Sequence, residues 1–107
     1  MIDGEKRLND VIRRVLSKQD KREKWNGQYI YVIQCNEFFK IGIATNPSSR
    51  LAELQVGNPY KLTMLRYWPS PDAFIEEDEI HSLLDQYRVR GEWFKLPCDI
   101  LNNLLKG

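Results

Sequence analysis

The sequence predicts an α/β domain: a small antiparallel three-stranded sheet flanked by helices, with an extra basic helix ahead of it. Three observations predict it. Residues 29–43 contain two apolar, β-branched and aromatic runs parted by Asn36-Glu37, the pattern of a hairpin. Asn46-Pro47 and Asp72 each precede a helical periodicity. Gly57-Asn58-Pro59 and Pro69-Ser70-Pro71 bracket a third strand-like run between those helices.

The elements follow in order. In residues 1–25, Leu8, Val11, Ile12, Val15 and Leu16 recur at helical spacing. That segment carries eight Lys/Arg against five Asp/Glu, a local net of +3 that exceeds the +1 of the whole chain. It reads as a basic amphipathic arm, and residues 26–107 as the domain proper. On the first strand, period two places Tyr29, Tyr31 and Ile33 on one face and Ile30 and Val32 on the other. On the second, Lys40 and Gly42 share a face, with Phe39, Ile41 and Ile43 opposite. The helix from Pro47 to Val56 turns Leu51, Leu54 and Ala52 inward. Arg50 in its first turn opposes the helix dipole, a small penalty that points to a use elsewhere.

Tyr60 to Trp68 forms the third strand, with Leu62, Met64 and Trp68 on one face. Asp72 caps the next helix, which runs to Tyr87 and buries Phe74, Ile80, Leu83, Leu84 and Tyr87. Glu76 to Glu79 form its acidic first half, favourable at a helix N-terminus, and Glu77 and His81 are i, i+4 neighbours. Arg88 to Leu96 reads as a turn and one extended segment, Trp93 and Phe94 closing the core. Pro97 and Asp99 start a last helix that packs Ile100, Leu101, Leu104 and Leu105 inward.

Composition narrows the function. A chain of 107 residues has room for one modest core. No apolar run approaches the ~20 residues that span a bilayer, and the start lacks a secretory core, so the expected location is cytoplasmic and away from membranes. Cys35 and Cys98 then read as reduced and packed. Two cysteines and one histidine supply too few soft ligands for a structural zinc site. With so small a net charge, any nucleic-acid contact must use localised positive charge.

Several motifs carry a resemblance. Tyr29-Ile30-Tyr31, then after eight residues Lys40-Ile41-Gly42, then Arg50, resemble the signature of the GIY-YIG nuclease superfamily. The likeness is to its phage-type branch, with KIG in place of YIG. Glu77-Asp78-Glu79-Ile80-His81 and Arg90-Gly91-Glu92-Trp93-Phe94 are similar to that branch's acidic helix and GEWF tail. The resemblance covers residues 28–96 and implies a GIY-YIG-like fold and a DNA endonuclease. It implies Tyr31 as the base that activates water, Arg50 as the phosphate stabiliser, and Glu77 as the ligand of one Mg²⁺ or Mn²⁺. Lys40 occupies the second motif's tyrosine position, and His81 matches a histidine four residues after the metal glutamate. Two positions depart from the superfamily: Leu54 stands where many members have His or Tyr, and neither Asn102 nor Asn103 matches the late asparagine.

The residue types suit phosphodiester hydrolysis on their own terms. A tyrosine works as a general base when a nearby cation favours its ionised form, and Lys40 shares its face. An arginine contacts two phosphate oxygens at once. A glutamate is a hard oxygen ligand for a divalent cation that keeps most of its waters. Two other classes fit the same chain. One is a catalytically silent DNA-binding module on this scaffold. The other is a protein-interaction domain that forms a homodimer through the N-terminal helix.

Overall fold

The computed structural model describes residues 27–106; the basic arm expected over residues 1–25 lies outside the described residues. Strands β1 (Tyr29–Cys35) and β2 (Phe38–Ala44) form the anticipated hairpin, Tyr31 facing Gly42 and Ile33 facing Lys40. Asn36 turns it in a left-handed conformation (φ 55°) that asparagine tolerates. Helix α1 (Pro47–Val56) is capped by Asn46, whose Oδ1 accepts from the Ser49 N–H at 3.1 Å. Strand β3 (Leu62–Pro69) pairs with the free side of β1.

The sheet is not three-stranded. It has five antiparallel strands in the order β3-β1-β2-β5-β4. The segment read as one extended piece folds back at Gly91 (φ 55°) into β4 (Arg88–Arg90) and β5 (Trp93–Phe94). β5 then pairs with β2 through Phe39–Phe94 and Lys40–Trp93, using hydrogen-bonding groups that a three-stranded sheet would leave at its rim.

The two faces bury separate cores. On one, Ile30, Val32, Phe39, Ile41, Trp68 and Phe94 meet helix α2 (Ala73–Leu83) through Ala73 and Ile80. Helix α3 (Cys98–Lys106) adds Ile100 and Leu104 to that core, as its pattern predicts. On the other, Tyr31, Ile33, Cys35 and Leu62 pack with Leu51 and Leu54 of α1 and with Trp93.

Six local expectations are corrected. Trp68 does not share a face with Leu62 and Met64. A bulge after Val32 shifts the β1–β3 register, Val32 facing Arg66 and Ile33 facing Met64, so the two halves of β3 present opposite faces. Asp72 makes no side-chain cap, and α2 ends at Leu83, giving way to a 3-10 turn over Asp85–Tyr87. Phe74 points outward and is 72% exposed, whereas Glu76 is buried and accepts from the Ser70 hydroxyl at 2.7 Å. That donor is one of the contacts that let the side chain sit in the core. Ala52 and Cys98 are exposed, and only Cys35 of the two free thiols is packed.

Candidate functional site

The site forms where the outer edge of β2 stops pairing. β5 covers that edge only at Phe39 and Lys40. At Ile41, the next residue, the N–H donates to the Glu92 carbonyl at 3.2 Å, and the carbonyl accepts from His81 Nε2 at 2.7 Å. A carbonyl only accepts, so in the neutral ring Nε2 carries the proton. The imidazole also tilts against Phe94, ring centres 5.2 Å apart. Burial lowers the His81 pKa, opposed in part by its bond to Ile41 and by Glu92. His81 thereby pins α2 to the β2 edge.

One turn earlier on α2 lies Glu77, half-buried. Although α2 packs on the Ile41 face of the sheet, Glu77 reaches the rim and feels the charges of Glu92 and Lys40. Its pKa is pushed up to about 7, first by burial and then by the Glu92 carboxylate, with Lys40 pulling the other way.

Lys40 and Tyr31 come to the same rim from the opposite face. The Lys40 ammonium is 2.6 Å from Glu92 Oε1 and 5.9 Å from the centre of the Trp93 ring. It is almost wholly buried, so this partner is what allows a charge there. Tyr31, 1% exposed, lies across Gly42. A methyl carbon built on Gly42 would be 2.5 Å from the Tyr31 hydroxyl oxygen and 3.1 Å from Glu92 Oε1. Only a glycine leaves room for the phenol and carboxylate together.

Arg50 completes the group from α1. Its pKa is raised, chiefly by a hydrogen bond with the Tyr31 hydroxyl. A second contact, 3.4 Å to Glu53 Oε1, holds its exposed end. Its Nε is buried and has no hydrogen-bond partner among the described residues. Arg50 also lines a hollow of about 240 Å³ with Thr45, Asn46 and Ser49.

The sequence-predicted residues therefore meet in a connected chain. Arg50 touches Tyr31, Tyr31 and Glu92 share the space over Gly42, Glu92 pairs with Lys40, and Glu77 lies in the field of both. His81 is adjacent but spends Nε2 on the backbone. Glu92, the hub, was legible only as one letter of a quoted motif. It sits in a turn 52 positions from Lys40, and nothing local marks it as that lysine's partner.

Two carboxylates, a phenol and two cations at a sheet edge define a small α/β domain of nuclease-like or DNA-binding type, and comparison with known families agrees at that level. The chain belongs to the T5orf172 domain family, which it matches over residues 28–107. This corrects the motif resemblance. The matched family is the T5orf172 domain and not GIY-YIG, so roles implied by the GIY-YIG likeness do not come with the match and must rest on geometry. Three-residue motifs are short enough to mislead at that level. No curated protein and no solved structure matches the chain. Among the described residues no helix is long and apolar enough to cross a membrane.

Proposed function

We propose that the domain hydrolyses phosphodiester bonds in DNA at the rim formed by Tyr31, Lys40, Arg50, Glu77 and Glu92. The observation that carries this reading is that Tyr31 and Glu92 share the space over Gly42, with Arg50 linked to the first and Lys40 and Glu77 to the second. Arg50 and Lys40 bind the phosphate oxygens, Arg50 through the solvent-reaching end of its guanidinium beside Glu53. Tyr31, beside the Arg50 guanidinium, is the base that takes the proton of the attacking water. The new P–O bond forms as the bond to the leaving oxygen breaks, and that oxygen takes a proton from solvent. His81 is a positioning residue that keeps α2, and with it Glu77, against β2.

The donor set fits one divalent cation. The Glu77 pKa is raised by burial and then by the Glu92 carboxylate, and a cation held by the two would offset both. No cluster of three or more His, Cys, Asp or Glu suited to a metal occurs among the described residues. One or two hard oxygen ligands suit Mg²⁺ or Mn²⁺, which keep several waters. Bound there, the ion would supply charge stabilisation to the phosphoryl oxygens.

One observation favours a second reading, DNA binding without turnover. Tyr31 is nearly inaccessible and Lys40 is already paired. A supercoiled-plasmid nicking assay with Mg²⁺ or Mn²⁺ separates the two. The hydrolytic reading expects nicking by the wild type and none by Tyr31→Phe or Glu77→Ala. Undiminished cutting by both variants overturns the roles, and salt-dependent affinity without cutting establishes the second reading.

A further inference from the structure

The face of β2 that carries Lys40 and Gly42 continues past the charged rim into a second hollow. This cavity of about 280 Å³ is lined by Cys35, Phe38, Asn58, Val89, Arg90 and Trp93. Trp93 faces Lys40 on β2 and Arg90 on β4, so in register the indole has a cation on each side on one face of the sheet. Arg90 is exposed and forms no ion pair among the described residues. Val89 is 55% exposed, an apolar side chain left at the hollow's mouth. Phe38 lies two residues from Lys40 along β2, roughly 7 Å at the usual strand rise.

We propose that this hollow takes one unstacked nucleobase of a single-stranded or frayed DNA segment, next to the phosphate held between Lys40 and Arg50. The inference rests on the phosphodiester reading above and narrows its substrate class. A base has an apolar π face and polar edges. Trp93, Phe38 and Val89 offer the first kind of surface, and Asn58 and Arg90 the second. Arg90, a cation in the lining that forms no ion pair among the described residues, distinguishes a nucleotide from an uncharged apolar occupant. The phosphates on either side of the base then fall near Lys40 and Arg90. A base stacked inside an intact duplex cannot enter, so the site selects strands that are already open, where unstacking costs least.

The test uses the full chain in EDTA with single-stranded oligonucleotides carrying 2-aminopurine at one position per probe. The expected result is fluorescence quenching confined to one position, and affinity for the single strand about tenfold above that for a blunt duplex of the same sequence. Val89→Gln keeps the charge and should fold, because that side chain is exposed. It should abolish the quenching and weaken single-strand binding fivefold or more, with duplex affinity unchanged. Trp93→Phe, which keeps an aromatic face in a half-buried position, should retain the quenching. Uniform fluorescence at every position, or a Val89→Gln protein indistinguishable from wild type, overturns the base site. A wild type that nicks plasmid yet gives uniform fluorescence loses the base site alone, whereas one that binds neither form of DNA loses the phosphodiester reading as well.

Discussion

Lys40 and Glu92 stand 52 positions apart in the chain and 2.6 Å apart in space, with only 10% of the lysine side chain exposed. The pair ties the β4–β5 turn to β2 and sets the field in which Glu77 titrates. Replacing Glu92 with Gln leaves the ammonium with a neutral partner. Because Glu92 is 41% exposed, the loss is smaller than for a fully buried pair, about 1–2 kcal/mol. The same change removes a repulsion from Glu77, so its pKa should fall from about 7 toward 4.5. Chemical denaturation and a carboxyl-carbon NMR titration measure the two effects. A Glu77 titration that stays put in Glu92→Gln would show that burial alone sets it.

Glu77 makes stability depend on pH with a defined sign. Its carboxyl holds a proton more tightly folded than unfolded, so the contribution is complete below 4.5 and is lost as pH rises through about 7. His81, lowered by burial, acts oppositely, its contribution being lost as pH falls. Comparing wild type with Glu77→Gln isolates the first effect. The variant should match wild type near pH 4 and exceed it at pH 8 by about 1 kcal/mol, a figure discounted for the group's partial exposure. Millimolar Mg²⁺ at pH 8 should raise the wild-type melting temperature and leave Glu77→Gln unmoved. Equal metal responses in the two proteins would remove Glu77 from the cation site.

These effects turn on contacts of unequal legibility. The boundary at Asn46-Pro47 could be read because capping is settled within four residues, and the structure places α1 over the same span, Pro47–Val56. Both faces of the β1–β2 hairpin could be read because period two needs no partner. The face of Trp68 could not, since one bulge opposite Val32 and Ile33 turns the rest of β3 over without a local signal. Nor could the fate of the acidic run. Glu76 is buried because Ser70, in the preceding loop, meets it, while the apolar Phe74 two residues earlier faces out. The hairpin at Gly91 depended on an edge of β2 left free by the other three strands. In the candidate site, Tyr31, Lys40, Arg50 and Glu77 were each visible as residue types. What joins them, Glu92 and the space over Gly42, exists only in three dimensions.

His81 tests positioning against chemistry. Its Nε2–H donates to the Ile41 carbonyl, a bond that a glutamine amide on the same helix can imitate. His81→Gln should keep most nicking activity and lose only the fall at acidic pH that protonation of the ring causes, the Glu77 dependence near pH 7 remaining. His81→Ala should free α2 from the β2 edge, lower stability by about 1–2 kcal/mol and raise the metal requirement. Activity lost equally in both variants would make the imidazole itself a participant.

Arg50 shares its guanidinium between Tyr31 and Glu53, and Glu53 is an internal competitor for it. Glu53→Gln should therefore raise DNA affinity two- to fivefold. Arg50→Lys keeps the charge and gives up the forked contact, which should cost about tenfold in affinity. Arg50→Ala should also reduce the slope of log affinity against log salt by about one. Fluorescence anisotropy across a salt series measures all three, and an unchanged slope in Arg50→Ala would place the phosphate elsewhere.

Gly42→Ala is the most economical test of whether the rim works as a unit. Gly42 does not have the positive φ seen at Gly27 and Gly91, so alanine brings no backbone strain there. The added carbon would sit 2.5 Å from the Tyr31 hydroxyl oxygen, inside any real contact distance, and a tight 3.1 Å from Glu92 Oε1. Tyr31 is held by the core around it, so the ring cannot simply swing out. The clash should cost about 1–3 kcal/mol, as overpacking does, and leave the domain folded. It should also break the Tyr31–Arg50 contact and push Glu92 from Lys40, so nicking should fall at least a hundredfold while DNA affinity changes less than tenfold. A folded Gly42→Ala protein that cuts normally would mean that the phenol and the carboxylate need not share this space, and the hydrolytic assignment of Tyr31 would go with it.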